Sequence, residues 1–340
     1  NTNTDDIFNK VSTGQYDGTI ASAPPPQVLQ QYVTNPTLKS RFHSDPGDRT
    51  WYITMNLLTP PFDDIHVRKA VNFAIDKATL LRAWGGPVRG EIATHLIPPT
   101  VLDFKGEKYD PYPSPNHAGD LNAAKNEMKQ ATKYDTDGDG VCDVSACKNV
   151  LFVNRTTPPH VNMTPTIQQN LAALGIDLKV RELDTGTAYT TIQTVKNLIP
   201  IAANAGWGKD YADASTFGVL WLSSGINCEG QINYSENGMT EDQAKDCKVL
   251  PEWQKARPDQ FSVDSDFDAC NAKLDEARRA CWVAFDKKVM EQVVPWVPYL
   301  WANAFTIVAK SVTKYQYDQF AGMISLCHIS VSNTVNAASI

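Results

Sequence analysis

A strand-like run followed at once by a helix start is the feature that most limits this chain. Trp51-Tyr52-Ile53-Thr54-Met55-Asn56 has the aromatic and β-branched content of a strand. Pro60-Pro61 stops it, and Asp63-Asp64 supply acid where a helix N-terminus is positive. Val67, Val71, Ala74, Ile75 and Leu81 then recur at helical spacing, with Arg68 and Lys69 off that face, until Trp84-Gly85-Gly86-Pro87. The alternation continues. A polar helix is expected over 120–132, a strand over 149–153, a helix over 165–174 stopped by Gly175, and a strand over 177–183. A short apolar run covers 198–203. Helical periodicity returns over 267–293, where Phe267, Cys270, Leu274, Ala277, Cys281 and Ala284 should form a buried stripe. Strands alternating with helices predict an α/β fold.

At 340 residues the chain exceeds the ~250–300 that one core usually organises, so two lobes or one elaborated domain are expected. Hydrophobic residues at 42% and charged residues at 20% exclude a disordered tail and a coiled coil. No run approaches the ~18 apolar residues of a membrane-spanning helix. Net charge is −7, with Lys and Arg dispersed, so nucleic acid is not an expected partner.

Seven cysteines occur, at 142, 147, 228, 247, 270, 281 and 327. None forms a CxxC pair, and His328 is the one histidine close to any of them, which argues against zinc. Buried thiols and disulfides both remain open. Several of these cysteines lie in polar, loop-like sequence, which favours an oxidising compartment. Cys142 and Cys147 flank an acidic turn, and Cys228 and Cys247 bracket a Gly/Asn/Ser-rich stretch. On one continuous helix Cys270 and Cys281 would stand roughly 16 Å apart, beyond disulfide reach. They can pair only if the chain bends near Leu274–Glu276.

Asp135-Thr136-Asp137-Gly138-Asp139-Gly140-Val141-Cys142-Asp143 has oxygen ligands at positions 1, 3, 5 and 9 of a calcium loop, with Gly at position 6. Val141 would offer a carbonyl at position 7. Ala146 replaces the bidentate carboxylate at position 12, so the expected ion is a weak, structural Ca²⁺ held by Asp135, Asp137, Asp139, Val141 and Asp143. The competing reading is an acidic turn closed by a Cys142–Cys147 bridge. After the apolar run at 198–203, Trp207, Asp210, Tyr211 and Asp213 offer rings and carboxylates suited to stacking on a ligand and pairing with its amine. Rim packing is the simpler alternative. The chain has no GxSxG, Walker or GxGxxG element, and its six histidines are scattered.

From Met55 to Pro99 the residues become specific. Met55-Asn56, Pro60-Pro61-Phe62-Asp63-Asp64, Val67-Arg68-Lys69-Ala70-Val71 and Ala74-Ile75-Asp76-Lys77 resemble the family 5 extracellular solute-binding proteins, the peptide-binding components of ABC importers. Gly90, Ile97-Pro98-Pro99 and Tyr109-Asp110-Pro111 keep the family's order. So do Leu174-Gly175-Ile176, the Gly206-Trp207…Asp210-Tyr211…Asp213 segment, Asn233-Tyr234-Ser235, Arg279 and Pro295-Trp296-Val297-Pro298. Ala214 stands where the family usually has proline.

The resemblance implies a type II periplasmic-binding-protein-like lobe, a mixed sheet flanked by helices. Residues 51–303 would be the ligand lobe, with 1–50 and 304–340 as pieces of the other lobe in a C-terminal portion of a longer protein. It implies ligand contacts from Asp210, Trp207, Tyr211 and Asn233, with Asp210 taking a peptide's ammonium group. It also implies a Cys228–Cys247 bridge. No cofactor is required, no enzymatic role is implied, and the partners would be a short peptide and a membrane permease. The protein would be a monomer outside the cytoplasm, periplasmic or held at the cell surface by a lipid anchor. Other family ligands, nickel complexes and oligosaccharides, fit the same resemblance. From another class, a secreted hydrolase would use Asp210 and Asp213 as paired carboxylates.

Overall fold

The strand expected at Trp51 is the end of a longer one. The computed structural model describes residues 3–19, 24–102 and 109–332, so residues 333–340 of the expected return segment lie outside the described residues. Six strands form one sheet: β1 (Phe42–Met55), β2 (Gly90–Glu91), β3 (Val150–Arg155), β4 (Leu178–Leu183), β5 (Ile201–Gly208) and β6 (Trp296–Ile307), in the order β2-β6-β1-β5-β3-β4. β3 runs parallel to β4 and to β5, whereas β1 pairs with β5 antiparallel, placing Trp51 opposite Gly206. The sheet is therefore mixed.

The longer helices are α1 (Thr4–Thr13), α2 (Pro26–Thr34), α3 (Ile65–Ala74), α4 (Lys77–Trp84), α5 (Leu121–Met128), α6 (Thr164–Ala172), α7 (Thr185–Ile192), α8 (Asp264–Asn271) and α9 (Asp275–Lys288). Their starts follow from side chains. Asp64, Asp76, Asp120 and Asp184 each accept an amide of the first turn of α3, α4, α5 and α7.

Two expectations fail here, each through a contact distant in the chain. The single helix expected from Asp64 to Trp84 is broken: Ile75 is extended, the Asp76 amide donates to Asn170 Oδ1 at 3.0 Å, and the Asp76 carboxylate caps α4. Arg68, expected off the buried face, is fully buried and donates to the carbonyls of Val293 and Phe62. Its charge is accommodated through backbone oxygens, which helical periodicity does not register.

The continuous stripe over 267–293 is also absent. Leu274 is extended and 77% exposed, Asp275 has φ +51°, and Ala277 and Ala284 are exposed. The bend makes a hairpin of α8 and α9, bringing Cys270 and Cys281 to a Cα separation of 5.3 Å and a disulfide. The buried side of α9 is instead Trp282, Phe285 and Asp286, continued by Val289 and Met290. Cys142–Cys147 and Cys228–Cys247 are also bridged, leaving Cys327 free and exposed.

The chain divides into two compact units. One comprises residues 1–48, 87–90 and 302–340, and the other 49–86 and 91–301. In the first, Phe8, Val11, Tyr32 and Ile307 form a small core. The second is built on a large aromatic core that includes Tyr52, Phe217, Trp221, Trp282, Phe285 and Trp296. No helix among the described residues is long and apolar enough to cross a membrane.

Candidate functional site

β3, β4 and β5 are parallel, so their carboxyl ends share one edge of the second unit. In open α/β sheets that edge is where ligands bind. β3 ends at Arg155, and β5 ends at Gly208 and runs into the loop holding Asp210, Tyr211 and Asp213.

The loop is tied to its own continuation. Trp207 Nε1 donates to the Thr216 carbonyl at 2.9 Å, and the Asp210 amide donates to Thr216 Oγ1 at 3.0 Å. Tyr211 Oη lies 3.1 Å from Ser215 Oγ, and its ring is half exposed. Trp207 is thus the partly buried penultimate residue of β5, and Tyr211 stands exposed on the loop that follows it.

The two carboxylates differ in kind. Asp213 accepts Nε and Nη2 of Arg278 at 2.9 and 2.7 Å, together with the Ser215 amide and hydroxyl. Burial pushes its pKa up, but the Arg278 and Ser215 hydrogen bonds and the Arg278 charge outweigh that and hold it at about 2. Asp210 is exposed, its side chain touches the Thr216 hydroxyl at 3.4 Å, and it pairs with no cation among the described residues. One carboxylate is locked; the other is open to a ligand's positive charge.

Sequence reasoning missed Arg155. It is 7% exposed, with its guanidinium 4.7 Å from the Tyr189 ring centroid and 5.3 Å from that of Trp51. Nη2 donates to Tyr189 Oη at 2.6 Å, and no carboxylate among the described residues reaches the group. A nearly buried cation held by two rings is electrostatically incomplete. A small hollow beside it is lined by Tyr189, Ala202, Ala203 and Ala205. Gly206 is required here: a Cβ at that position would stand 2.5 Å from the Trp51 ring. The one sequence signal was a lone Arg closing an apolar strand.

Asn233 is not brought to this edge's surface. It is fully buried, and its amide donates to the carbonyls of Leu222 and Asn237. Arg279, picked out by resemblance, is exposed and pairs with Glu276 at 3.3 Å; its neighbour Arg278 is the residue that reaches the loop. In the acidic turn, oxygens of Asp135, Asp137 and Asp143 lie within 4.8 Å of one another. Asp139 falls outside that group, and its carboxylate accepts the Val141 amide.

The model of the bacterial extracellular solute-binding proteins, family 5, middle region, matches residues 2–227. The chain belongs to this family. "Probable di/tripeptide-binding protein 5" of Pseudomonas aeruginosa (strain UCBPP-PA14) is 24% identical over 315 residues, 88% of this chain and 49% of that protein. Among solved structures, clavulanic acid biosynthesis oligopeptide binding protein 2 superposes with a TM-score of 0.76 at 22% identity, covering 97% of this chain and 55% of its own. DppA from Helicobacter pylori, solved with the peptide STSA, superposes at 0.63 with 19% identity, over 92% of this chain and 52% of its own. These likenesses give the fold: the type II periplasmic-binding-protein architecture, α/β with a mixed sheet. The chain spans about half the length of the relatives it matches. Family 5 proteins are extracytoplasmic binding proteins, and these relatives are named as binders, not enzymes.

Proposed function

We propose that the protein carrying this chain captures a short peptide outside the cytoplasm and delivers it to the permease of an ABC importer. One observation carries the reading. On the same carboxyl edge of β3 and β5, among the described residues, Asp210 is a carboxylate without a cation and Arg155 a nearly buried cation without a carboxylate. A peptide's ammonium and carboxylate termini supply the two missing charges as charge-assisted hydrogen bonds. Trp207 and Tyr211 would wall the amine end.

Binding and closure replace bond-making in this account. The ligand favours the closed form because only that form contacts it from both lobes. Unit 49–86 with 91–301 would be the ligand lobe, and the other unit part of its partner lobe. A monomer, held at the cell surface by a lipid anchor or free in a periplasm, completes the proposal. The hydrolase alternative needs Asp213 as a working acid or base, but Arg278 and Ser215 occupy it.

Calorimetric titration of a dipeptide library into full-length protein carrying this chain tests the reading. Micromolar or tighter binding of unblocked peptides is expected. Binding of oligosaccharides or nickel complexes in their place would overturn it.

The acidic turn is proposed to hold a structural Ca²⁺ through Asp135, Asp137 and Asp143, because their oxygens already converge.

A further inference from the structure

Arg278 lies outside the proposed amine site, yet all five of its N–H donors are used. Nε and Nη2 hold both oxygens of Asp213. Nη1 donates to the carbonyls of Cys270 and Asn271 at 3.0 Å each, and Nη2 also donates to Asn271 Oδ1 at 2.9 Å. The guanidinium also lies 5.6 Å from the Trp282 ring centroid, and Trp282 is buried against Phe267 and Phe285. The carbonyls it grips lie at the end of α8, whose Cys270 is bonded to Cys281 of α9. A disulfide-closed hairpin thus holds one fork-shaped cation against the ligand loop.

The consequence is electrostatic. The loop from Asp210 to Thr216 carries two carboxylates. Arg278 neutralises the second and fixes its direction, so the loop presents one free negative charge. We infer that Arg278 is a specificity-determining, positioning residue of the amine site: by holding Asp213 it makes the site select a single ammonium over a dication. This rests on the reading of Asp210 as the amine acceptor. Two free carboxylates on one short loop would attract a diamine as readily as a peptide terminus. Lysine would substitute only in part, because it keeps the neutralising charge but lacks the planar fork that spans Asp213 and the α8 carbonyls.

The test is calorimetry on full-length protein, with dialanine and 1,4-diaminobutane as probes and thermal melts confirming folding. Arg278→Gln is expected to weaken dialanine about tenfold or more and to create diamine binding that the parent lacks. Adding Asp213→Asn to that variant should abolish the diamine binding, which a merely structural role for Arg278 would not produce. Should Arg278→Gln fail to fold, Arg278→Lys decides. It keeps the neutralising charge, so dialanine should weaken only a few-fold and diamine should remain excluded. Unchanged dialanine affinity with no diamine binding in Arg278→Gln overturns the inference, as does diamine binding by Arg278→Lys. Asp210→Asn in the parent separates the two claims. If it leaves dialanine affinity unchanged the amine-site reading itself fails, and if it weakens binding while Arg278→Gln does not, only the role of Arg278 is lost.

Discussion

Arg155 donates to the Tyr189 hydroxyl at 2.6 Å, with its guanidinium over the Tyr189 ring and close to that of Trp51. The rings orient the cation without neutralising it, so its charge remains available to an incoming carboxylate. Arg155→Gln should weaken a free dipeptide by about tenfold to a hundredfold, the worth of one charge-assisted hydrogen bond. It should barely alter binding of the C-terminal amide. Equal losses for both peptides, measured by calorimetry, would show that Arg155 acts through packing instead.

Gly206→Ala tests whether the site depends on the close approach of Trp51. The added Cβ would sit 2.5 Å from the Trp51 ring, and neither strand can yield without disturbing the β1–β5 pairing. A loss of about 1–3 kcal/mol is expected in chemical denaturation, in the range of overpacked cores. Wild-type stability in the variant would mean that Trp51 is free to move.

Parts of this architecture were legible in the sequence, and others were not. Asp64 acts locally, so the start of α3 could be read, whereas the second start at Asp76 was not, and the loop after β5 was singled out through an ordered series of motifs. The break between α8 and α9 was foreseen only as the condition for a Cys270–Cys281 bond. Periodicity alone misplaced Leu274 in the core, because it cannot see a turn held by a distant cross-link. Arg155 escaped for a similar reason. Its rings come from β1 and α7, far along the chain, and a single Arg at a strand end looks like any surface cation. Arg278 was not singled out at all, because its partner Asp213 lies 65 residues away in the chain.

Glu236 gives a pH signature. It is 1% exposed, accepts one hydrogen bond from Gln231, and has Oε2 without a partner among the described residues. Burial pushes its pKa up to about 8, partly offset by the Gln231 bond. The folded state therefore keeps a proton that the unfolded chain releases near ~4.3. Its contribution to stability is fully present below that value and is lost as pH rises towards about 8. Glu236→Gln should flatten this slope in melts between pH 4.5 and 8. An unchanged slope would assign the titration to other groups.

The acidic turn should bind Ca²⁺ weakly, in the ~0.1–1 mM range of extracellular loops, given the missing ligand at Ala146. Asp135→Asn should weaken it further, since Asp135 is one of the three converging carboxylates. Absence of heat on titrating Ca²⁺ into chelator-treated protein would remove the ion from the account.

The central claim is that Asp210 receives a ligand's ammonium group. The most direct measurement compares calorimetric affinities of dialanine and N-acetyl-dialanine for full-length protein and for Asp210→Asn. The account predicts that acetylation costs the parent at least tenfold, that Asp210→Asn loses a similar factor for the free peptide, and that the variant no longer distinguishes the two. Equal affinities for the two peptides in the parent, or undiminished discrimination in Asp210→Asn, would contradict it.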